Sequence, residues 1–181
     1  MKGMRKGRRL LVSLTLALML VLSFSMPALA ASTADVTVTA TPTYISISNT
    51  PTTEALGMLA ANSTIWAIGT APADPLVDAG CTFTVTNDGN VAENIAITAT
   101  NFTGGVGWTL ASTVGSNTVV MKAGKSGDAH SAMVVVLTTG GANFIPALAA
   151  AATKKWEFNL STGTFTDGVE KSTTITLTAT Q

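Results

Sequence analysis

The sequence predicts an all-β protein: an immunoglobulin-like (Ig-like) Greek-key β-sandwich of about nine strands, preceded by a cleavable signal helix. Three observations lead to this prediction. Apolar residues recur with a period of two along most of the chain, as they do in strands that bury one face. Turn-forming groups such as Asn87-Asp88-Gly89-Asn90 separate the alternating runs. Thr, a β-branched residue that favours strands, supplies thirty of the 151 residues after position 30. A jelly roll is the alternative architecture.

The first thirty residues have the three parts of a secretory signal peptide. Five basic side chains precede any acidic one, an apolar run spans residues 10–24, and the segment ends in Ala28-Leu29-Ala30. We therefore expect cleavage after Ala30 and export by the general secretory route. An uncleaved anchor is the alternative, but the run is short for a bilayer of about 30 Å. The predicted domains are a signal peptide, residues 1–30, and a single β-sandwich, residues 31–181.

The charge that remains after cleavage excludes two classes of partner. Residues 31–181 carry five Lys, no Arg and ten acidic side chains, a net charge of −5. Nucleic-acid binding needs clustered cations that neutralise phosphates, so this composition argues against it. It also argues against docking on an anionic membrane after cleavage. Together with the predicted signal peptide, this composition indicates a secreted or cell-surface protein.

Ten runs, most of them alternating, are the expected strands. They cover residues 36–38, 44–48, 64–68, 81–86, 95–99, 108–110, 119–121, 133–137, 156–160 and 174–180. The run 133–137 is continuously apolar, which is typical of a strand covered on both faces. In the last of these apolar runs before the C-terminal strand, Trp156, Phe158 and Leu160 are expected to point one way, and Lys155, Glu157 and Asn159 the other. The turn at Asn87–Asn90 predicts a hairpin.

Two segments break the alternation. Residues 54–61 are expected to form one helical turn or a sheet crossover. Residues 144–152 are expected to form a short helix or an apolar loop, because their Ala run favours helix.

The last strand is a candidate edge or donor strand. Ile175, Leu177 and Ala179 are expected to point inward. Their neighbours are expected to point outward: Thr174, Thr176, Thr178 and Thr180. No residue follows that would cover this strand, so it is a candidate for strand addition to another copy. Pairing within its own domain is the favoured interpretation, because proteins usually protect their edge strands.

The sequence contains few of the residues that a catalytic or metal site needs. The chain has one Cys, Cys81, and one His, His130, and it lacks a Gly-x-Ser-x-Gly motif. Cys81 shares its parity with Phe83, which predicts a buried thiol, and His130 is expected in a solvated loop. One Cys and one His cannot form a structural zinc site. Two acidic turns, residues 74–78 and 88–93, are interpreted as turn chemistry rather than calcium ligands. We therefore expect no enzyme, no metal and no cofactor.

The three Trp residues raise the question of sugar binding. Trp108 and Trp156 share parity with apolar neighbours, which predicts burial. Trp66 is the candidate for an exposed ring and for ligand contact, which would suit a glycan.

Residues 83–110, FTVTNDGNVAENIAITATNFTGGVGWTL, resemble the middle of bacterial and archaeal surface Ig-like modules of the CARDB (cell-adhesion-related) type. In those modules a strand of alternating Thr and Val runs into an Asn-x-Gly-Asn hairpin, and another strand and then a Trp-bearing strand follow. The resemblance implies an Ig-like fold and an extracellular scaffold or adhesion role, and it offers no catalytic residues. The expected function is a non-enzymatic structural or adhesion protein whose partners are itself or other envelope proteins. A carbohydrate- or other ligand-binding module is the alternative.

Overall fold

The fold is described by a computed structural model that covers residues 39–136 and 141–181. The predicted signal peptide and the predicted strand at residues 36–38 lie outside these ranges. Residues Thr41–Gln181 form one compact unit. The strands of the described residues are β1 (Ile47–Thr50), β2 (Thr64–Trp66), β3 (Phe83–Asn87), β4 (Glu93–Ala99), β5 (Thr109–Leu110), β6 (Thr118–Lys125), β7 (Val134–Val136), β8 (Ala142–Leu148), β9 (Thr153–Thr162) and β10 (Ile175–Thr180). Two short 3-10 helices, Asp78–Gly80 and His130–Ala132, complete the elements, so the all-β prediction is confirmed.

The larger sheet is organised around β9. One edge of β9 pairs with β6, and the other pairs with β3 over residues 153–156 and with β2 over residues 159–161. β1 extends the sheet beyond β3, and β5 and β7 extend it beyond β6. Every pair is antiparallel except β5–β6. β2 and β3 therefore lie end to end along β9, and residues 67–82 leave the sheet between them.

The smaller sheet has the order β10-β4-β8. β10 pairs with β4 in an unbroken antiparallel register, whereas the β4–β8 register shifts twice. The expectation of a helix or loop at residues 144–152 is wrong, because β8 occupies the first half of this segment. Phe144 and Ile145 are buried beside β4. Tertiary pairing here overrides the local helix preference of the Ala-rich sequence.

Side chains from the inner faces of both sheets form one core. At its centre Trp156, which is 2% exposed, stacks on Phe83 with ring centroids 4.5 Å apart. Phe144 of the smaller sheet meets the same indole edge-on at 5.6 Å. The indole Nε1 donates to Asn49 Oδ1 at 2.8 Å. Trp156 therefore links β1, β3, β8 and β9 across the two facing sheets of this β-sandwich-like fold.

A second apolar cluster covers the opposite, outer face of the larger sheet. Directly opposite residues in neighbouring strands point to the same face, so Trp66 shares a face with its partner Asn159. That face is the outer one, because the adjacent Leu160 lies in the main core. We call this cluster the outer layer: Trp66, Leu76, Cys81 and Met133.

Because the main core covers one face of β9 and the outer layer covers the other, residues 156–160 of this strand are buried on both faces. Glu157 is fully buried and Asn159 is 7% exposed. They do point away from the main core, but residues 67–82 fold back above them. The strand expected to be covered on both faces, residues 133–137, contains instead the short edge strand β7, in which Val134 and Val135 are only half-buried.

The turn at Asn87–Asn90 joins the two sheets, because β3 lies in the larger sheet and β4 in the smaller one. The predicted hairpin is therefore wrong. Asn87 is fully buried, and its Nδ2 donates to the carbonyls of Val91 and Leu148, each at 2.8 Å. Its Oδ1 accepts from Gly89 N at 2.8 Å. These bonds tie the turn to β8 and direct the chain out of one sheet and into the other.

The connection between β1 and β2, which includes residues 54–61, is irregular and contains no helical turn. No helix among the described residues has the length and apolar character needed to cross a membrane.

Candidate functional site

β10 forms one end of the smaller sheet, and no other described strand pairs with its outer edge. Ile175 and Leu177 are half-buried and pack against the main core, and Ala179 is half-buried as well. The intervening hydroxyl side chains are exposed: Thr174, Thr176, Thr178 and Thr180. The alternation predicted for this strand is the one observed.

The hydrogen bonds between β10 and β4 determine which backbone groups of β10 face outward. Thr100 N donates to Thr174 O at 3.0 Å, so Thr174 turns its carbonyl toward the β4 side. In an antiparallel pair such positions recur at every second residue. The residues between them turn their N–H and C=O groups to the open edge: Ile175, Leu177 and Ala179.

β10 lacks the devices that usually keep an edge strand from pairing with another chain. It has no charged residue, no Pro and no break in register. The other end of the same sheet is protected, because β8 contains Pro146, a positive φ of 49° at Ala147 and two register shifts. In the larger sheet the outermost strands are shorter than the six residues of β10: β1 has four residues, β7 three and β5 two. Among the described strands, β10 is therefore the most regular open edge.

The structure corrects the prediction for Trp66. Its surface is only 8% exposed, so the expectation of an exposed ring is wrong. The indole packs in the outer layer, and its centroid lies 4.6 Å from that of the His130 ring. Trp108 and Trp156 are buried as predicted. The observation that favoured glycan stacking on Trp66 is thereby removed.

Cys81 is buried as predicted, but it lies beside Trp66 in the outer layer rather than beside Phe83 in the main core. Burial, reinforced by the nearby carboxylates of Glu157 and Asp78, raises the pKa of the Cys81 thiol to about 11. Such a thiol is protonated at neutral pH and is a weak nucleophile.

Polar groups beneath and beside the outer layer hold its loops in place. Glu157 Oε2 accepts from Thr82 N at 2.7 Å, and its Oε1 accepts from Phe158 N at 3.1 Å. Burial raises the pKa of Glu157 despite these hydrogen bonds. His130 N donates to Asp74 Oδ1 at 2.9 Å. Sequence reasoning missed Glu157, and its one signal is a lone acid within the apolar run Trp156–Leu160.

The acidic turns also contribute hydrogen bonds to the fold. Asn90 Oδ1 accepts from Tyr44 N at 2.7 Å, and Glu93 Oε1 accepts from Ser46 N at 2.9 Å. Within residues 39–136 and 141–181, no three His, Cys, Asp or Glu side chains meet at a point where they would hold a metal ion.

An open hollow of about 520 Å³ lies on the outer face of the larger sheet, away from β10. Lys122 is the charged side chain in its wall, and no aromatic ring lines it. Most of its lining consists of hydroxyl side chains: Ser63, Thr64, Ser112, Thr113, Ser161 and Thr162. The hollow therefore offers no ring on which a sugar would stack.

Comparison with known proteins identifies no relative. No protein-family model, no curated protein and no solved structure matches this chain. With no relative to indicate a function, the open edge of β10 is the structural feature that bears most directly on it.

Proposed function

We propose that this chain is an exported, non-enzymatic structural or adhesion protein of the cell envelope or of an extracellular assembly. The observation that carries the proposal is the edge of β10, a regular strand of six residues with outward backbone groups and no protecting charge or Pro. Such an edge is a template for pairing with another chain. The role is passive: a rigid sandwich presents an edge, and neighbours add to it.

The rigidity of the sandwich supports a structural role. β9 is covered by the main core on one face and by the outer layer on the other, so residues 156–160 are all buried. Closely packed interiors of this kind transmit load and resist local opening. An element built this way suits a scaffold better than a surface that must rearrange around a ligand.

An Ig-like Greek-key topology is part of the proposal. Its support is the turn at residues 88–92, which carries the chain from the larger sheet to the smaller one. The same turn lies within residues 83–110, the segment that resembles CARDB-type surface modules. A scaffold or adhesion role outside the cell is the function that this resemblance implies.

Export is supported by the sequence of residues 1–30 and by the sparsely charged remainder of the chain. To test it, the full chain is expressed in a bacterial host, and the exported product is analysed by intact mass. We expect a product that begins at Ala31. A matched variant, Ala28→Leu/Ala30→Leu, should be exported but not cleaved at this site. Retention of the full-length chain in the cytoplasm would contradict the proposed location.

Assembly is tested on the exported product by size-exclusion chromatography with light scattering and by electron microscopy. We expect oligomers, filaments or sheets, with a proportion that rises with protein concentration. A product that stays monomeric at every concentration, alone and with envelope extract, would contradict the structural role.

A further inference from the structure

We infer that β10 pairs with β10 of a second copy of this chain, antiparallel and with Leu177 on the two-fold axis. The inference rests on the proposed function and names the partner that adds to the open edge. The pairing would join two three-stranded sheets into one sheet of six strands.

Symmetry limits how two identical edges can meet. Two copies that present the same edge to each other are related by a two-fold axis, the commonest symmetry of protein dimers. An axis perpendicular to the sheet makes the two β10 strands antiparallel and keeps both inner faces on the same side. The half-buried row of each strand, Ile175, Leu177 and Ala179, then faces the core side in both copies.

The outward backbone groups fix the register. They belong to Ile175, Leu177 and Ala179, as the Thr100–Thr174 hydrogen bond indicates. With Leu177 opposite Leu177, Ile175 lies opposite Ala179, and every outward N–H and C=O of the three residues finds a partner. A shift by one residue would place apolar side chains opposite Thr on the wrong face. A shift by two would place Ile175 opposite Gln181, which lies outside the strand Ile175–Thr180.

The side chains of β10 are compatible with this register. Thr176 lies opposite Thr178 of the second copy, and Thr–Thr pairs on one face of a sheet stabilise antiparallel pairing. No charged side chain occurs in Ile175–Thr180, so two negatively charged molecules meet along a neutral strand. The edge is therefore complementary to itself, which is the reason for choosing a second copy over an unrelated partner.

The test uses three charge variants of the exported chain at the exposed positions Thr176 and Thr178. Thr176→Lys/Thr178→Lys places lysine opposite lysine in the proposed register, and we expect association to weaken about tenfold or more. Thr176→Lys/Thr178→Glu places opposite charges across both pairs, and we expect association at or above the level of the unchanged chain. Thr176→Glu/Thr178→Glu should self-associate weakly but should restore association when mixed with the lysine variant. Circular dichroism and thermal unfolding of each variant check that the fold is intact.

The outcomes separate this inference from the proposed function. A folded lysine variant that associates like the unchanged chain overturns the inference alone, because assembly then uses another surface or another segment covers β10. The Leu177-centred register is overturned if mixing the lysine and glutamate variants restores association while Thr176→Lys/Thr178→Glu alone fails to associate. An unchanged chain that never associates overturns the proposed function, and this inference with it.

Discussion

Replacing Trp156 by Phe will destabilise the fold more than replacing Trp108 by Phe, although both changes remove the same atoms. The two indoles are comparably buried, at 2% and 6% exposure. They differ in one hydrogen bond. Trp156 Nε1 donates to Asn49 Oδ1 at 2.8 Å, whereas Trp108 Nε1 is buried without a partner.

The size of the difference follows from that contrast. Each indole stacks on a Phe ring, Trp156 on Phe83 at 4.5 Å and Trp108 on Phe165 at 4.4 Å, so the packing lost at the two sites largely cancels in the comparison. At Trp156 the change leaves Asn49 Oδ1 without its donor, which costs about 1 kcal/mol in the free energy of unfolding, since Asn49 is half-exposed. At Trp108 the change removes a buried donor that makes no bond, which recovers about 1 kcal/mol. We therefore expect the two variants to differ by about 2 kcal/mol.

The assay is urea unfolding followed by far-ultraviolet circular dichroism, because changing a Trp alters the fluorescence signal. The midpoints are compared only if the slopes agree, so that compactness of the unfolded state is held constant. Asn49→Ala, alone and combined with Trp156→Phe, completes a double-mutant cycle that isolates the Trp156–Asn49 bond. A cost for Trp108→Phe that equals or exceeds that for Trp156→Phe would refute this reasoning.

Three further predictions concern a buried carboxyl group, a tight turn and a buried thiol. The raised pKa of Glu157 means that the folded state binds a proton more readily than the unfolded state, so the free energy of unfolding falls as pH rises from the ordinary value of 4.5 through the raised pKa. Urea unfolding over this pH range should show the stability of Glu157→Gln rising relative to that of the unchanged chain. A difference in free energy of unfolding that does not vary with pH would contradict the assignment. Gly89→Ala should destabilise the fold by about 1–3 kcal/mol, because a Cβ at this position would overlap Glu93 Oε1. Gly168→Ala is the control, because a Cβ there contacts no other atom. Equal midpoints of thermal unfolding for the two variants would contradict the turn geometry. Cys81 should react with a thiol reagent far more slowly in the native state than in urea, because it is buried with a pKa of about 11, and equal rates would show that the outer layer is open.

The period-two pattern predicted from the sequence is accurate wherever one face of a strand meets the core and the other meets solvent. In β10, Ile175 and Leu177 pack against the core while the adjacent Thr176 is exposed, as their alternation indicates. In β3 and β4 the same rule places Phe83 and Ile97 in the core. Such strands can be predicted because each residue's side depends only on its parity.

The predictions fail where a distant segment changes what covers a face. Glu157 has the parity of a surface residue, and it is buried because residues 67–82 fold over it from another part of the chain. Trp66 is the candidate for an exposed ring, and it is buried because Leu76 and Cys81 of the same segment pack against it. Residues 144–152 favour a helix in their local preference, and pairing with β4 makes residues 144–148 part of a strand. The open edge of β10 depends on the strand order, which periodicity alone does not specify.

The position of β9 in the chain has a consequence for the order of folding. β9 begins at Thr153, yet the larger sheet depends on it to connect β2 and β3 with β6. Before β9 is made, the described strands of the larger sheet form three separate pieces: β1 with β3, β2 alone, and β6 with β5 and β7. Closure waits for partners nearly a hundred positions apart, as between Thr64 and Ser161, and such long-range pairing is slow. The larger sheet of the nascent polypeptide therefore stays in separate pieces until residues 153–162 have been added, and only then can the main core form.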